Sequence, residues 1–75
     1  MTLMTNEPPS VRLRLAENMR RLRHERAWSQ EDLAAKAQLH RNQIGAMERG
    51  KNSVGIDIID RIALTFGVSI GELLD

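Results

Sequence analysis

Apolar residues recur every three or four positions along most of this chain, in short runs that serines open or glycines close. A repeat near 3.6 residues is that of an amphipathic helix, whereas a half-buried strand alternates every two residues. Serine is a strong helix N-cap, and glycine commonly follows the last helical residue. The pattern therefore predicts several short helices and an all-α fold.

Five helices are predicted, over residues 11–26, 30–37, 40–49, 56–66 and 70–74. Ser10 is the expected N-cap of the first. Ser29 with Asp32 and Ser69 with Glu72 have the spacing of capping boxes, in which each side chain bonds the backbone of the other. The expected architecture is a compact five-helix bundle.

A chain of 75 residues makes one small domain, with 41% apolar residues to build its core. Residues 1–9 are polar and end in Pro8-Pro9, so they are predicted to be a disordered arm before a domain at 10–75. The absence of cysteine excludes disulfides and thiolate metal sites. No signal peptide or run of 18 apolar residues is seen, so a soluble cytoplasmic protein is expected.

Charge is distributed unevenly although the net charge is only +1. Residues 10–51 contain ten basic and five acidic side chains, which gives +5. Residues 52–75 contain one basic and four acidic side chains, which gives −3. A polyanion would be attracted to the first part and repelled by the second, unless the charges only solvate the surface.

Two short helices at 30–37 and 40–49, with a brief turn between them, satisfy the geometry of a helix-turn-helix. In that motif the first helix crosses the DNA backbone and the second enters the major groove. Many helical hairpins share this spacing, so the spacing alone is a weak indicator of DNA binding.

Three stretches carry a more specific signal: WSQEDLAAKA at 28–37, LHRNQIGAMERG at 39–50 and IALTFGVSIGELL at 62–74. In combination they resemble the XRE-type, Cro/phage-repressor-like family of transcription regulators. The resemblance spans about 11–74 and implies a lambda-repressor-like DNA-binding domain with its helix-turn-helix at about 30–49. Within the family, the chain is similar to the controller proteins of restriction-modification systems.

DNA contacts are expected from two groups of residues. The expected base contacts are Arg41 and Asn42, which match the first exposed positions of the family's recognition helix, Ala46 one turn later on the same face, and Gln43 flanking that face. Among the expected phosphate contacts, Gln30 and the loop of Lys51, Asn52 and Ser53 match family positions, and His40 and Arg49 are added to them. The chemistry agrees, because arginine can bond guanine and asparagine can bond adenine with two hydrogen bonds, while alanine can touch a thymine methyl.

The resemblance also predicts two structural features. Arg23 and Glu48 match a partly buried salt bridge between the first and third helices. Gln38 occupies a turn position where the family most often has glycine, and where a positive φ costs other residues roughly 1 kcal/mol. Replacing Gln38 with glycine is therefore expected to be neutral or stabilising.

The fourth and fifth helices contain more apolar residues than one buried face requires. The surplus predicts a homodimer interface at Ile56, Leu64, Ile70, Leu73 and Leu74. The alternative is that one small core absorbs all of them. A two-fold dimer would set two recognition helices about 34 Å apart, as a palindromic double-stranded DNA site requires.

The function expected is that of a homodimeric repressor, or repressor and activator, of transcription. The main alternative is a protein-interaction module, such as an antitoxin-like partner, since one fold serves several functions. An enzyme is disfavoured because no acid-base or nucleophile cluster is present. RNA binding is disfavoured because Trp28 and Phe66 are the only aromatic residues. No cofactor, metal, small-molecule ligand or membrane partner is expected.

Overall fold

All regular secondary structure in the described part of the chain, residues 9–75 of a computed structural model, is helical. The five helices are α1 (Val11–Glu25), α2 (Gln30–Ala37), α3 (Arg41–Arg49), α4 (Ile56–Phe66) and α5 (Ile70–Leu74). The predicted all-α, five-helix fold is confirmed, with bounds within one residue of those expected. The predicted arm lies outside the described residues, apart from Pro9.

Serine side chains open three of the five helices, as predicted. Ser10 accepts a hydrogen bond of 3.3 Å from a backbone N–H in the first turn of α1. Ser29 accepts from the Asp32 N–H at 3.0 Å, while the Asp32 carboxylate accepts from the Ser29 N–H at 2.8 Å. Ser69 and Glu72 form the same reciprocal pair. These bonds satisfy amides that helix geometry leaves without partners.

Residues in the left-handed conformation close three helices and form one connection. Gly50 (φ 70°) ends α3 and Gly67 (φ 74°) ends α4, where glycine adopts positive φ without strain. Gln38 ends α2 at φ 57°, so the positive φ predicted for this turn is confirmed. Ala27, between α1 and α2, also has positive φ, at 56°, which the sequence analysis did not predict.

The core lies where α1 packs against α3 and α5, and where α2 packs against α3 and α4. Its central side chains are fully enclosed; they are Met19, Leu33, Ile44, Ile62 and Leu73. Val11 is spaced four residues before the buried Leu15 of the same helix, yet it is 46% exposed in the first turn of α1.

One residue predicted for the dimer interface belongs to the core instead. Leu73 has no exposed surface within the single chain, so it cannot present a side chain to a partner. The prediction for Leu73 was wrong because a five-residue helix leaves its inward face ambiguous in sequence. Two side chains of α1 hold α5 in this position: Arg14 Nε donates to Leu74 O and Asn18 Nδ2 donates to Leu73 O, both at 2.8 Å.

Trp28, which directly precedes the Ser29 cap, packs on the bundle. Its ring stacks on Phe66 with centroids 5.7 Å apart and planes 13° apart. The Arg26 guanidinium lies 5.6 Å from the Trp28 centroid and 5.2 Å from that of Phe66. This cluster joins the α1–α2 connection to the end of α4.

None of the five helices described has the length and apolar character needed to cross a bilayer.

Candidate DNA interface

The outer face of α3 is polar and the inner face is buried. Arg41, Asn42 and Gln43 are exposed and Ala46 is half-buried, whereas Ile44 and Met47 are enclosed by the core. Four residues advance a helix by 400°, so Asn42 and Ala46 stand one above the other. All four predicted base-contacting residues are therefore accessible on one short helix.

Gln43 has a structural contact that the sequence analysis did not assign. Its Oε1 accepts a hydrogen bond of 2.9 Å from the backbone N–H of His40, the N-cap of α3. The carbonyl end of the carboxamide is thus held, while the two N–H groups of Nε2 point away from that bond and can donate elsewhere. A base contact by Gln43 would use Nε2. His40 itself is exposed beside it.

Arg23 and Glu48 form a buried ion pair between α1 and α3, as the family resemblance implied. Arg23 Nε and Nη2 donate to the two Glu48 carboxylate oxygens at 2.8 and 2.9 Å. The side chains are only 11% and 3% exposed. The hydrogen bonds to Glu48 raise the pKa of Arg23 against the opposing effect of burial. Paired in this way, both charges are compensated inside the fold.

Gln30, at the start of α2, is joined to this ion pair. Its Nε2 donates to Glu48 Oε1 at 3.1 Å. The predicted phosphate contact of Gln30 would therefore use its second Nε2 proton and the unbonded amides of the helix terminus. The buried carboxylate of Glu48 fixes the orientation of this carboxamide, a link that residue spacing gave no means of predicting.

Two predicted phosphate-contacting residues, Gln30 and Arg49, both lie close to Gly45 of α3. A Cβ atom at Gly45 would lie 3.4 Å from Arg49 Nη1 and 3.8 Å from Gln30 Oε1. The two polar side chains therefore converge over the same turn of α3. This proximity joins α2 to α3, and residue spacing alone did not predict it.

The loop after α3 adds a second polar region. Lys51, Asn52 and Ser53 are all exposed. Between this loop and α3 is a cleft of about 190 Å³, whose lining is polar at Gln43, Asn52 and Ser53. Ala46, Met47, Val54, Gly55 and Ile58 complete the cleft. The loop residues and the base-contacting face are thus adjacent, on one side of the molecule.

The other residues predicted for a dimer interface differ in exposure. Ile56 is 70% exposed and Leu64 is 72% exposed, both on α4. Ile70 and Leu74 are half-buried against the core. Within the described residues, the first two are large apolar side chains that remain mostly exposed.

Comparisons with known proteins identify the family. The helix-turn-helix family model HTH_3 matches residues 19–73. The crystal structure of a hypothetical transcription factor from Neisseria superposes with a TM-score of 0.85 at 36% identity, covering 99% of this chain and 87% of that one. This match extends over nearly the whole of both chains.

Two further relatives are described as controller proteins. Control protein C.BamHI of Bacillus amyloliquefaciens is 38% identical over 73 residues, which cover 96% of this chain and 86% of that protein. The restriction-modification controller protein C.AhdI from Aeromonas hydrophila superposes with a TM-score of 0.77 at 31% identity, covering 83% of this chain and 94% of that one. With these matches, the chain belongs to the helix-turn-helix family HTH_3, the XRE type of DNA-binding transcription regulator.

Proposed function

We propose that this chain is a cytoplasmic, homodimeric transcription regulator that binds palindromic operator DNA with α3 in the major groove. The observation that carries the proposal is that α3 has an exposed polar face and a buried apolar face. Arg41 and Asn42 are exposed at the start of the helix, while Ile44 and Met47 anchor it in the core. A rigid helix with outward donors and acceptors is what reading base edges requires.

The residues flanking α3 support the same orientation. Gln30 and Arg49 converge over Gly45 on one side, and the loop Lys51–Ser53 is exposed on the other. Phosphate contacts on both sides of a recognition helix would set its position in the groove without reading sequence. The proposed phosphate contacts are Gln30, His40, Arg49, Lys51, Asn52 and Ser53, and the proposed base contacts are Arg41, Asn42, Gln43 and Ala46.

Dimerisation is proposed through α4, with Ile56 and Leu64 in contact across a two-fold axis and Ile70 and Leu74 beside them. Burying exposed apolar side chains between two copies is favourable by about 25 cal/mol per Å². A two-fold axis also matches the symmetry of a palindrome.

From the controller proteins among the relatives, we propose repression, or repression and activation, of a neighbouring gene as the regulatory role.

Fluorescence anisotropy tests the DNA-binding proposal. A palindromic duplex from the upstream region of the gene is titrated beside a scrambled duplex of the same length. We expect the native site to bind about a thousandfold more tightly or better, as specific regulators do. Arg41→Ala should lose about 1 to 3 kcal/mol on the operator and little on the scrambled duplex. Arg21→Ala, on the outer face of α1, is the matched control.

Equal and weak binding to every upstream duplex would overturn the proposal. It would favour the protein-interaction alternative, in which the exposed face of α4 recognises another protein. That alternative further requires that alanine at Arg41 and Asn42 leave cellular function intact while changes at Ile56 and Leu64 abolish it.

A further inference from the structure

Arg12 lies next to the loop that follows α3, although 39 residues separate it from Lys51 in sequence. Its Nη1 donates to Lys51 O at 3.4 Å, and the side chain is exposed. Arg12 and Ser53 also line the same cavity of about 240 Å³. The first turn of α1 is therefore a neighbour of the loop proposed to contact phosphates.

Close packing between the end of α3 and the first turn of α1 keeps Arg12 beside the loop. A Cβ at Gly50 would lie 2.9 Å from Leu13 Cδ2 and 3.4 Å from Arg12 O, so the end of α3 is in direct contact with the first turn of α1. Gly50 also has φ 70°, which disfavours any larger residue there. The position of Arg12 relative to α3 is consequently set by backbone contact and not only by a flexible side chain.

Three of the other four arginines of α1 bond to α3 or α5, and the fourth, Arg21, pairs with Glu25 on the surface of α1. Arg14 donates to Leu74 O, Arg20 to Glu48 O, Arg21 to Glu25 and Arg23 to Glu48. Among residues 9–75, Arg12 forms no ion pair with a carboxylate. A guanidinium carries five N–H donors, and within residues 9–75 only one of them is used, in the bond to Lys51 O.

We infer that Arg12 is a further DNA phosphate contact, which extends the surface of the loop Lys51–Ser53 onto α1. The inference rests on the proposed function, since it requires the loop to face DNA. A guanidinium suits phosphate oxygens in charge and geometry, and the bond to Lys51 O holds it in place before DNA arrives. Arg12 contacts the backbone only, and contributes affinity without sequence preference.

The salt dependence of binding tests Arg12. Each phosphate neutralised by a basic residue steepens the plot of log Kobs against log salt by about 0.9. We expect Arg12→Gln to reduce the slope by about that amount, on operator and scrambled duplex alike. Arg12→Lys retains the charge and should keep the slope of the unmodified protein.

Arg21→Gln is the matched control, because Arg21 lies nine residues further along α1 and hence on its opposite face. Its guanidinium is 3.3 Å from the Glu25 carboxylate and half exposed. We expect this variant to keep the unmodified slope. A slope for Arg12→Gln equal to that of Arg21→Gln would overturn the inference alone. An unmodified protein with no salt-dependent binding to any duplex would overturn the proposed function and the inference together.

Discussion

Single residues in this domain hold backbone conformations that their side chains resist. Ala27 and Gln38 have φ values of 56° and 57°, in a region where a Cβ approaches the following carbonyl. Gly45 presents the opposite case, because it is helical and has no need of a glycine backbone. Glycine should therefore be the more stable choice at position 38, and alanine the more stable choice at position 45.

Gln38→Gly is expected to leave the free energy of unfolding unchanged or to raise it by up to about 1 kcal/mol, because the left-handed strain disappears. Thermal denaturation followed by circular dichroism measures the effect. The control is Ala35→Gly on the exposed side of α2, where glycine should cost about 1 kcal/mol. A clear loss of thermal stability in Gln38→Gly would contradict the prediction.

Gly45→Ala is expected to stabilise the domain by up to about 1 kcal/mol through helix propensity. The added Cβ would meet only side-chain atoms, Arg49 Nη1 at 3.4 Å and Gln30 Oε1 at 3.8 Å. Gly50→Ala is the contrasting variant: its Cβ would lie 2.9 Å from Leu13 Cδ2 at φ 70°, so it should destabilise. Urea denaturation compares the two. Destabilisation by Gly45→Ala would show that the side chains of Gln30 and Arg49 cannot move to accommodate the added methyl group.

At the scale of helices, serine caps mark the starts of α1, α2 and α5, and a buried ion pair joins α1 to α3. The capping boxes act within four residues, whereas the Arg23–Glu48 pair spans 25 residues. The first kind is exposed to solvent and the second is enclosed. Their contributions to stability should differ accordingly in size and in pH dependence.

The Asp32 cap predicts a pH effect of defined sign. The hydrogen bond from the Ser29 backbone lowers the pKa of Asp32 below its ordinary 3.8, with the Ser29 hydroxyl adding to the effect. A carboxyl with a lowered folded-state pKa stabilises above the unfolded pKa, and this stability is lost as pH falls through the folded pKa. Asp32→Asn keeps an acceptor oxygen but does not titrate.

The midpoint of thermal unfolding should therefore be higher for the unmodified protein than for Asp32→Asn at pH 7, with the gap closing below about pH 4. Glu31→Gln, on the same exposed turn but outside the capping box, serves as control. A gap that stayed constant between pH 7 and pH 2 would show that the carboxylate does not stabilise α2.

Glu48→Gln should cost about 3 to 5 kcal/mol, since it leaves the Arg23 charge buried without its partner. Glu25→Gln removes an exposed partner of Arg21 and should cost less than about 1 kcal/mol. Chemical denaturation of both variants measures the difference. Equal, small losses would mean that Arg23 reaches water when its partner is removed.

For the whole molecule, exposure separates the apolar residues of α4 and α5 into two groups. Leu73 is enclosed by the single chain, whereas Ile56 and Leu64 are more than two-thirds exposed. The first contributes to folding of each subunit, and the second pair is available for association. The proposed dimer therefore depends on α4 more than the sequence analysis expected.

Leu64→Glu is expected to convert the dimer to a monomer while each subunit stays folded. Sedimentation velocity at micromolar concentration measures the mass, and helical circular dichroism confirms the fold. Leu73→Ala is the contrasting variant and should lower the free energy of unfolding by about 2 to 5 kcal/mol through a core cavity. Unchanged sedimentation of Leu64→Glu would place the interface elsewhere.

The amino-acid sequence by itself determined the helices and their ends. Ser29 with Asp32, Ser69 with Glu72, and the glycine stop at Gly50 act between residues a few positions apart, so spacing reveals them. The left-handed turn at Gln38 followed from the family resemblance. The helix-turn-helix and its exposed Arg41 and Asn42 followed from the same local rules together with the family motifs.

Only the tertiary structure decided which surfaces meet. Leucines 64 and 73 are alike in sequence, and burial depends on the helix that packs over each. Arg12 beside Lys51 and Gln30 beside Glu48 are contacts between distant parts of the chain, which no local pattern encodes.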